Sequence, residues 1–155
     1  MSIDLYVLAP ERSEKVAQRF LETWLTGSVE SASDYEFPQY SNEPSARYRS
    51  AAALIAKLIE QPHEPHAIYW QNPTDEPVAN GMLFFTSDGG MIVGLTIRTD
   101  DQAEAADFLL RLAATVNGQF GYMAFEQPPP DTIREFIAAV ERSPWPRIVN
   151  GSVRD

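Results

Sequence analysis

Three strand-like segments follow one another between His66 and Ile97, and every fold open to this chain has to accommodate them. Val78 to Thr86 and Met91 to Ile97 flank Ser87-Asp88-Gly89-Gly90. An Asp-Gly pair between apolar runs is a strong hairpin signal, because the turn needs residues that accept positive φ. The short aromatic segment His66 to Gln71 comes just before them. Consecutive strands with short connections pair as an antiparallel meander, and helices must then cover the sheet they begin.

The flanking segments supply those helices. Ile3, Leu5 and Val7 alternate with Asp4 and Tyr6, the period of a half-buried strand, and Pro10 ends it. Val16, Phe20 and Trp24 fall four apart, with Ala17, Leu21 and Leu25 beside them, which predicts a helix that closes at Gly27. A second helix starts at Ser45 or Ser50 and carries Ala51, Leu54, Ile55, Leu58 and Ile59 inward as far as Pro62. A third opens on Thr99-Asp100-Asp101-Gln102, a capping-box pattern, and closes at Asn117-Gly118. Phe120 to Phe125 reads as a strand, and Asp131 as the N-cap of a fourth helix whose Ile133, Phe136, Ile137 and Val140 face the core.

Residues 28–44 lack a sustained period, and Pro38 and Pro44 argue against a helix there, although Tyr35 to Phe37 can form a brief edge strand. Pro144, Pro146 and Gly151 predict an irregular tail from about residue 143. The expectation is one α+β domain over residues 1–155. It has a mainly antiparallel sheet of about five strands and about four helices, packed largely on one face.

The chain has no cysteine, which excludes a disulfide framework and any thiolate nucleophile or thiolate metal site. No basic segment precedes the short apolar run at the N-terminus, and Glu11 to Arg19 is heavily charged, so a signal peptide or membrane span does not fit and a cytoplasmic protein is expected. Twelve Lys and Arg stand against 22 Asp and Glu, a net charge of −10. The imbalance is local. Residues 27–44 hold Glu30, Asp34, Glu36 and Glu43 without a base, and residues 58–97 hold Glu60, Glu64, Asp75, Glu76 and Asp88 without one. Such a field repels nucleic acid and anionic lipid and steers basic proteins inward, although solubility alone also accounts for an acid excess.

No cofactor motif is present. His63, Glu64 and His66 put three ligands within Pro62 to His66, five residues, but Pro62 and Pro65 stiffen the segment and the spacing matches no zinc pattern. Neither histidine has a nucleophile context such as Gly-x-Ser-x-Gly, and the phosphate-cradling and dinucleotide fingerprints are absent. Paired carboxylates can do acid and base work, and Glu126, before Pro128-Pro129-Pro130, is the leading single candidate for it in a cleft between the 28–44 loop and the sheet. Accepting backbone hydrogen bonds at a strand-to-helix turn is its simpler role.

Tyr35, Phe37, Tyr40 and Tyr48 cluster around the acidic loop, and Tyr69-Trp70 precede Asp75 and Glu76. Carboxylates interleaved with aromatics suit a protein interface, where tyrosines anchor and acids pair with Arg or Lys, while packing of the loop onto the domain uses the same residues.

From His66 to Pro130 the strand with Trp70 and Asn72, Phe84-Phe85-Thr86-Ser87-Asp88-Gly89-Gly90, Ile92-Val93-Gly94-Leu95, Gly121-Tyr122 and Phe125-Glu126-Gln127-Pro128-Pro129-Pro130 resemble small immunity proteins of bacterial polymorphic and contact-dependent toxin systems. The resemblance implies a cytoplasmic inhibitor without a reaction of its own, which blocks the active site of a basic toxin domain. The contacts expected on that reading are Asp34, Tyr35, Glu36, Tyr40, Glu43, Asp75 and Glu76. The alternatives are a small-ligand-binding domain or small enzyme using Glu126, and a subunit that associates with itself.

Overall fold

The alternating residues of the N-terminal segment end at the centre of the molecule. The computed structural model describes residues 1–155. The order is β1 (Ile3–Leu8), α1 (Glu14–Trp24), β2 (Val29–Glu30), β3 (Tyr35–Phe37), β4 (Ala46–Tyr48), α2 (Ala51–Glu60), β5 (His66–Gln71), β6 (Val78–Phe85), β7 (Met91–Ile97), α3 (Gln102–Val116), β8 (Phe120–Ala124), α4 (Ile133–Arg142), β9 (Arg147–Val149) and β10 (Ser152–Arg154). Eight strands form one sheet in the order β10-β9-β8-β1-β7-β6-β5-β2, and β3 pairs with β4 apart from it. All the pairings are antiparallel. No helix is long and apolar enough to cross a membrane.

The sheet is thus larger than the expected five strands. The middle of it is the expected set, β8, β1, β7, β6 and β5, and three short strands extend it. β2 comes from the loop, where Val29 and Glu30 pair with Gln71 and Trp70. β9 and β10 come from the tail, which is a hairpin and not irregular. Asn150 and Gly151 turn it with φ of 51° and 81°, the positive pair that a tight two-residue hairpin requires. Pro144 and Pro146 precede the hairpin and leave its strands free to pair.

Ile3, Leu5 and Val7 share one face of the sheet with Leu83, Val93, Leu95 and Ile97, and α1, α2 and α3 close over it through Phe20, Leu54, Leu58, Leu109 and Leu112. Each such side chain, once buried, contributes roughly 1.5–3 kcal/mol. The fourth helix takes the other face, where Phe136 and Val140 pack with Tyr6, Leu8 and Ile92. Its N-cap is Thr132, one residue after the expected Asp131, and Asp88 from the β6–β7 turn accepts from the Ile133 N–H at 3.0 Å. The second helix starts from Ser50, since Ala46–Tyr48 is committed to β4.

Arg12 ties the layers together. Its guanidinium donates to the carbonyls of Leu58, Gln61 and Glu64 at the end of α2 and just beyond it, and to Thr86 and Gly90 on either side of the β6–β7 turn. It also lies over the Phe85 ring, 5.1 Å from the centroid.

Candidate binding groove

α4 covers the β8 and β9 end of its face and reaches Leu8 and Ile92, and the rest carries a polar row and an aromatic row. Register places Gln71, Asn80, Thr96 and Asp4 side by side across β5, β6, β7 and β1, and Tyr69, Met82, Gly94, Tyr6 and Tyr122 in the next row. Gly94 matters for its lack of a side chain, because a Cβ there would lie 3.0 Å from the Tyr6 ring and 3.2 Å from the Met82 methyl. With that space free, aromatic contacts run from Tyr69 through Phe84 to Tyr6, then through Tyr122 to Phe136, at centroid separations of 5.3–5.9 Å, all edge-on but for the tilted Tyr6–Tyr122 pair. Burial raises the Tyr6 phenol above its ordinary value and pushes the Tyr122 phenol up to about 12. The Tyr6 hydroxyl donates to the Gln127 carbonyl at 2.8 Å and so anchors the chain that leads into the three prolines.

Where α4 stops, a cleft of about 420 Å³ opens, floored by Ala67, Tyr69 and Phe84 and walled by Gln39 and Tyr40 on one side and Pro128–Pro130 and Asp131 on the other. A second cleft of about 390 Å³ continues it along the edge of β5 and adds Ser31, Ala32, Asp34, Tyr35 and Glu36. Gln39, Tyr40, His66, Ala67 and Tyr69 line both. Together they form one groove with three carboxylates and neither a lysine nor an arginine in its lining.

The 28–44 loop is held to the sheet edge by named bonds. The Ser31 N–H donates to the Tyr69 carbonyl at 2.9 Å. The Gln39 amide accepts from the Ala67 N–H at 2.9 Å and donates to the Ala67 carbonyl at 3.3 Å, which copies a strand's pairing with one side chain. His66 is buried and places its Nε2 3.3 Å from the Glu36 carbonyl. Burial lowers its pKa against the opposing pull of the Glu36 and Ala67 carbonyls. Tyr40 follows Gln39 at φ 61°, a conformation rare for a tyrosine, and the residue is 85% exposed. Tyr69 faces it at 43% exposure, and burial followed by the nearby Tyr40 phenol raises its own phenol.

The loop's acids differ in what they already hold. Glu30 Oε1 accepts from the Tyr35 hydroxyl at 2.8 Å and from the Ala51 N–H at 2.9 Å, so it serves the start of α2. Tyr35 is buried, and burial together with Glu30 raises its phenol. Arg47 of β4 lies 3.7 Å from Asp34 Oδ2 and 3.3 Å from Glu36 Oε1. These pairs are largely exposed and each is worth well under about 1 kcal/mol.

Of the residues expected to make contacts, Asp34, Tyr35, Glu36 and Tyr40 thus line the groove. Glu43 is exposed on the same loop outside the lining, and Asp75 and Glu76 are exposed in the β5–β6 turn beyond the opposite end of β5. Glu126 does not reach the groove. It is exposed at φ 60° and lines a separate depression with Met1, Ser2, Thr99, Asp100 and Gln102. Near its backbone lies Asp4, whose carboxyl is raised by burial although Thr96 donates to it at 2.7 Å. His63 is exposed while His66 is buried, and no three His, Asp or Glu side chains converge as metal ligands. Sequence reasoning missed Gln39, Phe84 and Pro128–Pro130 as lining residues. Alternation was a usable signal for Tyr69, which sits between the buried Ile68 and Trp70.

No protein-family model and no curated protein matches the chain. Among solved structures it is similar to one chain of the crystal structure of the toxic C-terminal tip of CdiA from Pseudomonas aeruginosa in complex with immune protein, at 14% identity. The match covers 81% of this chain and 88% of that one, with a TM-score of 0.43. It stands as a distant likeness.

Proposed function

We propose that this chain is a cytoplasmic immunity-type protein that neutralises a basic partner protein, a toxin domain, by occluding its active groove. The observation that carries the reading is the continuous groove along β5. It joins exposed Tyr40 and Tyr69 to Asp34, Glu36 and Asp131 with no cationic side chain in the lining. Tyrosines with carboxylates at the rim suit a basic protein surface, and the acid excess of the chain draws such a surface in. The floor of the groove is built by β5 and β6, within the segment whose motifs resemble immunity proteins. Glu43 lies beside the groove, and Asp75 and Glu76 add to the field that a basic partner meets.

The test is affinity purification from a source lysate at low and high salt, followed by measurement of the captured protein's activity with increasing amounts of this chain. One basic partner should be retained only at low salt and fall silent at one equivalent of inhibitor. Replacing Asp34, Glu36 and Glu43 together with Lys should abolish inhibition and leave Tm nearly unchanged. A captured partner whose activity is unaffected by the native chain rejects inhibition, and full inhibition by the triple variant rejects the loop as its contact surface.

A further inference from the structure

We infer that the groove receives an arginine side chain of the partner, its guanidinium held between the Tyr40 and Tyr69 rings and directed at Asp34 and Glu36. The inference rests on the reading of a basic protein partner and names the group that enters.

Four observations lead to it. Tyr40 and Tyr69 line both halves of the groove, and their exposure is high for aromatic side chains with neighbouring surface to pack on. The backbone at Tyr40 is tethered by its neighbour, since Gln39 makes two bonds to Ala67, so binding need not order the loop that carries the ring. The carboxylates beside the rings already pair with a guanidinium, Arg47 lying 3.7 Å from Asp34 Oδ2 and 3.3 Å from Glu36 Oε1. Asp34 Oδ1 and Glu36 Oε2 remain as acceptors, within the capacity of carboxylates that have about four lone-pair sites each. Last, an aromatic floor with acids at its end favours arginine over lysine, because the guanidinium is planar, weakly hydrated and able to stack on a ring while bonding at its edge.

The test needs no partner. The isotope-labelled full chain is titrated with acetyl-Gly-Gly-Arg-Gly-Gly-amide, and in parallel with the same peptide carrying citrulline, which keeps the shape and lacks the charge. Saturable shifts at the Tyr40, Ala67 and Tyr69 amides are expected with the arginine peptide. The citrulline peptide and the Tyr40→Ala variant should each bind about tenfold more weakly, and Tyr40→Phe should bind as the native chain does. Equal binding of both peptides, unchanged binding by Tyr40→Ala, or no saturable shift overturns the inference. Such a failure leaves inhibition of a partner standing, since that is judged by the partner's own activity.

Discussion

Removing the Arg12 guanidinium should cost the protein a large part of its stability while leaving the groove intact. Arg12→Met removes the cation from over the Phe85 ring, and five carbonyls lose its donors. The bond to Gln61, 3.0 Å long, is exposed, and water replaces it. Of the partly buried four, the Gly90 carbonyl keeps the Thr86 N–H at 3.0 Å; at about 1 kcal/mol for each of the other three, with up to about 1 kcal/mol more for the lost cation over Phe85, the loss is about 3–4 kcal/mol. That is a large share of a typical stability of about 5–15 kcal/mol and corresponds to a fall in Tm of about 8–14 °C for a chain of this size. Urea unfolding followed by circular dichroism measures it, and an unchanged m value assigns the midpoint shift to stability. Arg12→Lys, with three donors on one nitrogen, should fall between the two. A loss below about 1 kcal/mol for Arg12→Met would refute the view that this side chain joins α2 to the sheet.

Three further outcomes are expected. Asp88→Ala removes the acceptor for the Ile133 N–H and for the Thr86 hydroxyl, so it should cost about 1–2 kcal/mol and speed amide exchange in the first turn of α4; protection of that turn equal to the native level would reject Asp88 as its cap. Gly94→Ala pushes a methyl against the Tyr6 ring and Met82, at about 1–3 kcal/mol by urea unfolding, and a neutral result would show that Tyr6 can move aside. Asp4 has its folded pKa raised by burial, so its contribution to stability is present in acid, below the unfolded value, and is lost as pH rises through the folded value. Asp4→Asn should therefore raise Tm at neutral pH and lose that advantage in acid; an advantage that grows on acidification contradicts the sign.

Much of the scaffold was legible because its signals are local. Asp88-Gly89 marked the hairpin, and caps with apolar stripes marked the helices. The run Met91-Ile92-Val93-Gly94-Leu95, buried at every position, carried a further message, since a strand apolar on both faces needs cover on both. That is why α4 lies opposite the other helices. Amphipathicity says which side of a helix turns inward and does not say which face of the sheet it meets. The β9–β10 hairpin has the same kind of turn as β6–β7, but strands of three residues are too short to display a period. β2 exists only because β5 offers an edge to pair with, and nothing in Val29 and Glu30 announces it. The groove was half legible. Tyr40, Asp34 and Glu36 came from composition, whereas Gln39 and the proline wall depend on which segments meet across the sheet. Charge counting also overstated the free acids, since Glu30 and Asp88 are taken up by the starts of α2 and α4, and Asp34 and Glu36 meet Arg47 from just beyond the acid run.

The side chain of Gln39 occupies the place on β5 where another strand would pair, with β2 filling the adjacent stretch. The loop that offers Tyr40 to solvent is therefore also the guard of the sheet's margin. If it is clipped or peeled away, the backbone of β5 becomes a free template for any extended chain, and an exposed strand margin is where proteins begin to polymerise. On the proposed reading recognition and solubility share one tether, so remodelling this loop for a new partner would risk fibres before it weakened binding.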